Sequence, residues 1–430
     1  MGEVAVIGAG VAGIQAALDI ANHGVKVYLI EREPSIGGHM SQLDKTFPTN
    51  DCSMCILSPK MVDAQRNQNI TLFTLTEVCS VSGEVGDFTL NLVRHPRYVS
   101  ETKCNGCGDC TEVCPVEVYN KYDAGVGVRK AIYKPHPQVV PDVTIRDAGH
   151  CIECGLCYDV CGPQAVLHND EDFEREFSLH VSSIVVATGF ETFDAQKKKA
   201  LKYLKNPDVI TSLEFERLIC ASGPTGGVPR RLSDGKKPKS IVFIQCVGSR
   251  DMTVDRPYCS CVCCMYAIKN AILLKEKNKD LDIFMLYMDI RAYGKGYEEY
   301  YQRAQDLGIN FIRGIPGEIT ESADKSLGVT VENTENSVLI TLNPDLVVLS
   351  VGMEPAKGSD EIAAALGIKK DESGFFAQEN MKTNPVGTIK PGIYIAGAAV
   401  SPKDIPDSVM QGGAAAMKAF SDAIRHFQML

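Results

Sequence analysis

Two kinds of spacing alternate along the chain. "EVAVIGAG" (3–10) is an apolar run ending in small residues, "VAGIQAALDIANHG" (11–24) carries its apolar residues at helical spacing, and "KVYLIE" (26–31) is a second apolar run. This order predicts strand, helix and strand, a βαβ unit within a sheet buried on both faces. Further strand-like runs follow at "SSIVVATGF" (182–190), "SIVFIQCVGSRD" (240–251) and "PGIYIAGAAV" (391–400), while "KNKDLDIFMLYMDIRAYG" (277–294) supplies a helix end and another strand. From 104 to 161 this patterning stops and cysteines take over.

The first βαβ unit turns around Gly8, Gly10 and Gly13. The first glycine suits the tight turn, the second lets a pyrophosphate approach the backbone at the helix N-terminus, and the third lets helix and strand pack closely. Glu31, closing the second strand, is placed to hydrogen-bond a ribose hydroxyl. A dinucleotide site is therefore expected. The Gly37–Gly38 pair beyond that acid resembles the FAD-binding extension of two-dinucleotide-domain flavoproteins. "SSIVVATGF", with Thr188 and Gly189, resembles the returning strand of the same domain, and "PGIYIAGAAV", with Gly397, the late strand touching the flavin. Such flavoproteins usually have Gly-Asp there; Ala398 follows Gly397 here, so that hydrogen bond has to come from elsewhere.

Composition narrows the class. The chain has 430 residues, 44% of them hydrophobic, and a formal charge of -10, which argues against a nucleic-acid surface. No segment reaches the eighteen consecutive apolar residues of a membrane helix, and the first apolar run lacks a basic flank, so the expectation is a cytoplasmic chain with reduced thiols. Seventeen cysteines are then too many for packing alone, and metal or redox chemistry leads.

"CNGCGDCTEVCP" gives Cys104, Cys107, Cys110 and Cys114, and "CIECGLCYDVCGP" gives Cys151, Cys154, Cys157 and Cys161. Two copies of C-x2-C-x2-C-x3-C are the ligand run of a bacterial two-cluster ferredoxin, in which the fourth cysteine of each run serves the other cluster. One [4Fe-4S] cube is expected on Cys104, Cys107, Cys110 and Cys161, the other on Cys151, Cys154, Cys157 and Cys114. Zinc is the rival metal for thiolates at this spacing. The segment between the runs, 120–150, is rich in Pro, Gly and charge, and reads as a surface excursion or a docking loop.

In the second half, the turn after "IVFI" is Gln245, Cys246, Val247, Gly248, Ser249, Arg250. One glycine replaces the three that would cradle NAD(P)H, so a degenerate nucleotide site is expected. Cys259, Cys261, Cys263 and Cys264 follow within "YCSCVCCMYA" (258–267), at the start of a helical run. Cys246 lies thirteen residues before Cys259, and four thiolates, these two with Cys263 and Cys264, converging at the mouth of the former nucleotide site would hold another cube; the competing reading is a helix using cysteines as small hydrophobes.

Taken together, "GGHMSQLDKTFPTNDCSMCILSPKM", the ferredoxin-like insert, "CVGSRD…YCSCVCCMYAIKNA" and "PKDIPDSVMQGGAAA" resemble the A-subunit family of heterodisulfide reductase, the FAD and iron–sulfur component of anaerobic electron-bifurcating complexes. The resemblance implies that Cys246, Cys259, Cys263 and Cys264 bind an additional [4Fe-4S] cluster, with Cys261 outside the set as a spare or alternate ligand. It also implies that Lys269 lies near flavin N5. The implied fold is α/β, with two Rossmann-like domains of the thioredoxin-reductase or glutathione-reductase kind and an inserted bacterial-type 2[4Fe-4S] ferredoxin domain. The expected boundaries are 1–99, 169–235 and 376–430 for the FAD-binding domain, 100–168 for the insert and 236–375 for the second Rossmann-like domain. Longer members carry further N- and C-terminal modules, so some clusters are expected on partners: cluster-bearing, hydrogenase-linked or formate-dehydrogenase-linked subunits, ferredoxin, and a second copy of the chain. The implied function is electron transfer with flavin-based bifurcation. The alternatives are a non-bifurcating relay of the class II benzoyl-CoA reductase type and an NAD(P)H-dependent flavoprotein like the glutamate synthase small subunit.

Weaker candidates complete the reading. Cys52 and Cys55 form a C-x2-C that is either a redox or ligand pair or small packing residues. Cys79 and Cys220 are expected in the core, and His39 and His150 as hydrogen-bond partners rather than ligands. Asp404, Pro406 and Asp407 are expected to precede a small-residue helix, with Ser408 as its cap.

Overall fold

The computed structural model describes residues 2–169 and 172–428. The chain forms two compact units. The first comprises residues up to Ser41, Met54–Phe190 and Pro355 onwards, and the second Gln42–Ser53 and Glu191–Glu354.

The first unit is built on a five-stranded parallel sheet in the order Ile393–Ile395, Ser183–Val186, Val4–Ile7, Val27–Ile30, Ile70–Phe73. Its central strands are fully buried, as continuous β-branched runs in a covered sheet require. Helix Val11–Asn22 crosses between the first two strands in sequence, and helix Ile405–Gln428 packs against it so closely that a Cβ on Gly412 would stand 2.5 Å from the Ala12 carbonyl oxygen. An antiparallel sheet of Arg175–Val181, Asp87–Arg94 and Thr76–Glu84 covers one side. Phe88, Leu90 and Leu92 alternate inward from its middle strand to join Ile184, Val186, Leu366 and Ile395 in one core.

The cysteine-rich insert belongs to this unit and has its own small core of Val99, Ile132, Val143, Ala165 and Val166 around the cysteines. Its linker docks on the remainder of the unit. The Val140 amide donates to Ser35 Oγ at 3.0 Å, the Ile36 amide to the Val140 carbonyl at 3.0 Å, and Lys121 pairs with Glu33 at 2.8 Å.

The second unit repeats the plan. Its parallel sheet runs Val209–Thr211, Leu346–Val351, Ser240–Val247, Asp282–Tyr287, Asn310–Arg313, and an antiparallel sheet of Ile319–Glu321, Leu327–Asn333 and Val338–Leu342 completes it. Four strands, Leu346–Val351, Ser240–Val247, Asp282–Tyr287 and Asn310–Arg313, follow the order of their counterparts in the first unit, as in a second dinucleotide-binding-type domain, but the edge strand Val209–Thr211 comes first in the chain whereas Ile393–Ile395 comes last.

The units divide elsewhere than the expected boundaries. Residues 191–235 join the second unit because Val209–Thr211 pairs in parallel with Leu346–Val351 and forms that sheet's edge. Residues 355–375 join the first, where Ala363, Leu366 and Ile368 are buried in its core. Gln42–Ser53 also packs with the second unit.

Candidate functional site

At the carboxyl end of Val4–Ile7 the structure forms an anion cradle. Gly13 lies so close under the turn that a Cβ there would stand 1.8 Å from the Gly8 carbonyl oxygen, whereas a Cβ on Gly10 would meet nothing within 4 Å. Helix Val11–Asn22 starts at Gly10 without a side-chain cap or an acidic residue in its first turn, so its orphan amides and positive dipole end are free for a phosphate. The carboxylate of Glu31 accepts from the Ala9 amide at 2.8 Å and the Glu33 amide at 3.0 Å, leaving lone pairs for ribose hydroxyls. Burial raises its pKa against those two bonds. Gly37 donates its amide to the Ala9 carbonyl at 2.8 Å, and Gly38 passes within van der Waals reach of Gly10. Thr188 Oγ1 is buried with no partner among the described residues, and the space beyond Gly189 is open. An open cradle, a bare helix terminus, an orphan hydroxyl and a fixed carboxylate fit the adenosine diphosphate half of FAD. At Gly397, where an aspartate would ordinarily follow, Gln411 Oε1 accepts the Gly397 amide at 3.0 Å and Lys403 Nζ donates to both Gln411 Oε1 and the Gly397 carbonyl. Neither Lys403 nor Gln411 carries a motif by which sequence reading would find it.

The insert holds two cavities. One is lined by Cys104, Cys107, Cys110 and Cys161, the other by Cys114, Cys151, Cys154 and Cys157. Each run thus contributes three cysteines to one cavity and its fourth to the other. Gly108 and Gly155, at φ of 91° and 81°, make equivalent turns into the one-turn helices Asp109–Glu112 and Leu156–Asp159, which carry the buried Cys110 and Cys157. Backbone amides already point at sulfur, Ala165 to Cys161 Sγ at 3.2 Å and Glu153 to Cys151 Sγ at 3.5 Å. No three such ligand side chains among the described residues close on a single-ion point. Four thiols line each space, three from one run and the fourth from the other, the crossed division that suits a pair of cubes. Burial pushes the Cys157 thiol up to about 11 and raises Cys110 as well, so metal binding here displaces protons.

In the second unit the turn after Ser240–Val247 is closed. The ring of Phe193 packs on Gly248, where a Cβ would clash at 2.0 Å, and the Arg250 amide donates to the Tyr258 carbonyl at 2.8 Å. Helix Cys263–Lys277 begins only after the intervening loop, which carries cysteines in place of a phosphate cradle. Cys246 sits at the strand end, Cys259 and Cys261 in the loop, Cys263 and Cys264 in the first helical turn. Burial pushes Cys246 up to about 12 and also raises Cys263 and Cys264. Cys259 is drawn down to about 6, first by a hydrogen bond from the Cys261 thiol and then, against burial, by the Cys261 amide, Arg291 and Arg250. Lys269, assigned to the flavin by resemblance, is fully buried on the same helix. Its Nζ donates to Glu216 Oε1 at 2.5 Å and to the Lys45 carbonyl at 2.9 Å, and Glu216 also accepts the Asp44 amide. Glu216 escapes sequence reading because "LEFERL" looks like a charged surface helix, yet Glu214, Glu216 and Arg217 are all buried.

Comparison with known proteins follows the same division. A family model described as FAD dependent oxidoreductase matches residues 3–54, and one described as 4Fe-4S dicluster domain matches 103–166. Thioredoxin reductases of Lactococcus lactis and T. acidophilum share the fold, each with a TM-score of 0.53, at 17% and 15% identity over 99% and 98% of this chain and 100% and 99% of theirs. The A subunit of H(2):CoB-CoM heterodisulfide,ferredoxin reductase from Methanothermobacter thermautotrophicus is 50% identical over 96% of this chain, and the second iron-sulfur A subunit of CoB--CoM heterodisulfide reductase from Methanopyrus kandleri is 54% identical over 96%. The chain is a homologue of the A subunit of heterodisulfide reductase. It spans 63% of the length of those two relatives.

The remaining candidates of this A-subunit homologue take varied places. Cys52 and Cys55 are both disulfide-bonded. Cys220 is buried, but Cys79 is exposed, contrary to expectation: the pairing of Thr76–Glu84 with Asp87–Arg94 skips a residue between Val78 and Ser80, and Cys79 is the residue left over. His39 bonds the Phe190 carbonyl at 3.0 Å and His150 bonds Asp147 at 2.9 Å. Asp404, not Ser408, caps helix Ile405–Gln428 by accepting the Asp407 amide at 2.9 Å; Pro406, Asp407 and Ser408 lie within its first turn. No helix among the described residues is long and apolar enough to cross a membrane.

Proposed function

We propose that the chain is the FAD- and [4Fe-4S]-bearing electron-transfer subunit of a heterodisulfide-reductase-type complex. The observation that carries this reading is the crossed division of eight cysteines between two cavities in the same compact unit as the dinucleotide cradle. Gly10, the amides of helix Val11–Asn22, Glu31 and Thr188 would hold the FAD; the two insert sets would each hold a cube, and Cys246, Cys259, Cys263 and Cys264 a third. When bound, the flavin supplies exchange between two-electron and one-electron carriers, and the cubes supply one-electron exits. The protein's own share is to fix these groups, exclude water from the buried sulfurs and tune potential through the amides aimed at them. The similarity to subunits named for heterodisulfide and ferredoxin supports coupling of a high-potential disulfide acceptor to a low-potential ferredoxin, within an assembly of further cluster-bearing subunits.

Phe193 packed on Gly248 weighs against an NAD(P)H-dependent flavoprotein, because no pyrophosphate can approach that backbone. The test is anaerobic purification with native partner subunits. FAD should be present at about one per chain, NAD(P)H should leave its absorbance unchanged, and ferredoxin reduction should require simultaneous consumption of the disulfide acceptor. Ferredoxin reduction proceeding without that acceptor would reduce the chain to a simple relay, and bleaching by NAD(P)H would overturn the reading.

A further inference from the structure

The loop 258–264 and the strand end before it hold five thiols where a cube needs four. Cys259 and Cys261 flank Ser260, which is fully buried and pinned twice: its amide donates to Ser249 Oγ at 2.9 Å and its hydroxyl accepts the Met353 amide at 2.9 Å. Ser260 is therefore a fixed pivot. Around it the two cysteines turn to each other. The Cys261 amide donates to Cys259 Sγ at 3.3 Å, and Cys261 Sγ lies 3.5 Å from the Cys259 carbonyl oxygen. Cys261 is held at φ of 64°, a conformation that costs a non-glycine residue energy. Both cysteines are only half-buried, unlike Cys263 and Cys264, so they have room to move.

We propose that Cys261 is an exchangeable fifth ligand of this centre, taking over from Cys259 the iron that Cys259 holds. The proposal rests on the third cube of the function proposed above. In the exchange the bond from iron to Cys259 Sγ breaks and a bond to Cys261 Sγ forms, the proton that the Cys261 thiol directs at the Cys259 carbonyl oxygen moving to the released Cys259 Sγ; no electron is transferred. The two ligands are not equivalent. The Cys261 amide points at Cys259 Sγ, whereas the Tyr293 side chain hydrogen-bonds Cys261. The two sulfurs thus meet different donors, and exchange shifts the potential of the cube.

The test is iron and acid-labile sulfide per chain, with potentiometric EPR, on anaerobically purified full-length chain and four variants. Wild type and Cys261→Ala should both hold about twelve irons, three cubes' worth. Cys259→Ala should also keep about twelve, with the midpoint potential of one cube shifted from that of wild type, while Cys259→Ala/Cys261→Ala and Cys246→Ala should fall to about eight. The eight irons of the insert report in each variant that the chain has folded. Cys259→Ala falling to about eight while wild type holds about twelve overturns the exchange and leaves the third cube standing. Wild type holding only about eight overturns the third cube, and the exchange with it.

Discussion

Lys269 Nζ and Glu216 Oε1 meet at 2.5 Å with both side chains almost wholly removed from solvent. Removing one partner strands the other charge. Lys269→Met is therefore expected to destabilise the second unit by about 3–5 kcal/mol, and Lys269→Met with Glu216→Leu to recover most of that, since a buried pair is replaced by apolar groups at little net cost. Urea unfolding followed by circular dichroism decides it. A double variant no more stable than Lys269→Met would show that the pair itself, not the orphaned charge, governs stability.

Gly10 and Gly13 separate ligand binding from packing. Gly10→Ala adds a methyl group into open space at the cradle, so FAD content should collapse while unfolding of the apoprotein shifts by less than about 1 kcal/mol. Gly13→Ala pushes a methyl group into the Gly8 carbonyl and should cost about 1–3 kcal/mol in the apoprotein as well. Flavin absorbance after desalting and thermal unfolding of the apo forms distinguish the two.

The crossed cavities make a pairing prediction that uncrossed ones would reverse. Cys104→Ala/Cys161→Ala removes two walls of one cavity and should lose about four irons, whereas Cys104→Ala/Cys114→Ala breaks both and should lose about eight. Equal losses from the two double variants would sink the assignment.

Asp147 ties the second cysteine run to its linker, accepting from Arg129 at 2.6 Å and His150 at 2.9 Å. Burial would raise its pKa, but those bonds win and hold it below the usual carboxylate range. A depressed folded pKa stabilises the fold at pH above the unfolded value, about 4, and that stabilisation is lost as pH falls through the folded value. The urea midpoints of wild type and Asp147→Asn should thus differ at pH 6 and converge below about pH 4. A gap that stays constant would assign the contribution to something other than the carboxylate's charge.

The readable parts of this chain are those where chemistry dictates spacing. Gly8, Gly10 and Gly13 must fall where a turn, a phosphate and a helix contact fall, and thiolates around a cube must recur at short intervals, so both motifs survive in one dimension. The edges of the two units do not. Val209–Thr211 is a three-residue strand whose partner lies far along the chain at Leu346–Val351, and nothing in its own sequence names that partner. Buried charge is equally silent: Glu216 and Arg217 sit inside because Lys269 and the Gln42 carbonyl receive them, and both partners are remote in sequence. Cys79 misleads for the opposite reason, since its apolar neighbours are real but a one-residue slip in pairing turns it outward.

The shared walls of the insert also bear on how it comes into being. A growing chain that has passed Cys114 has presented its entire first cysteine run, yet neither cavity is closed, because Cys104 waits for Cys161 and Cys114 waits for Cys151. Both enclosures become whole within the same few residues of synthesis. Loading of either cavity would then be a late event, because half-made intermediates hold no complete nest of sulfur.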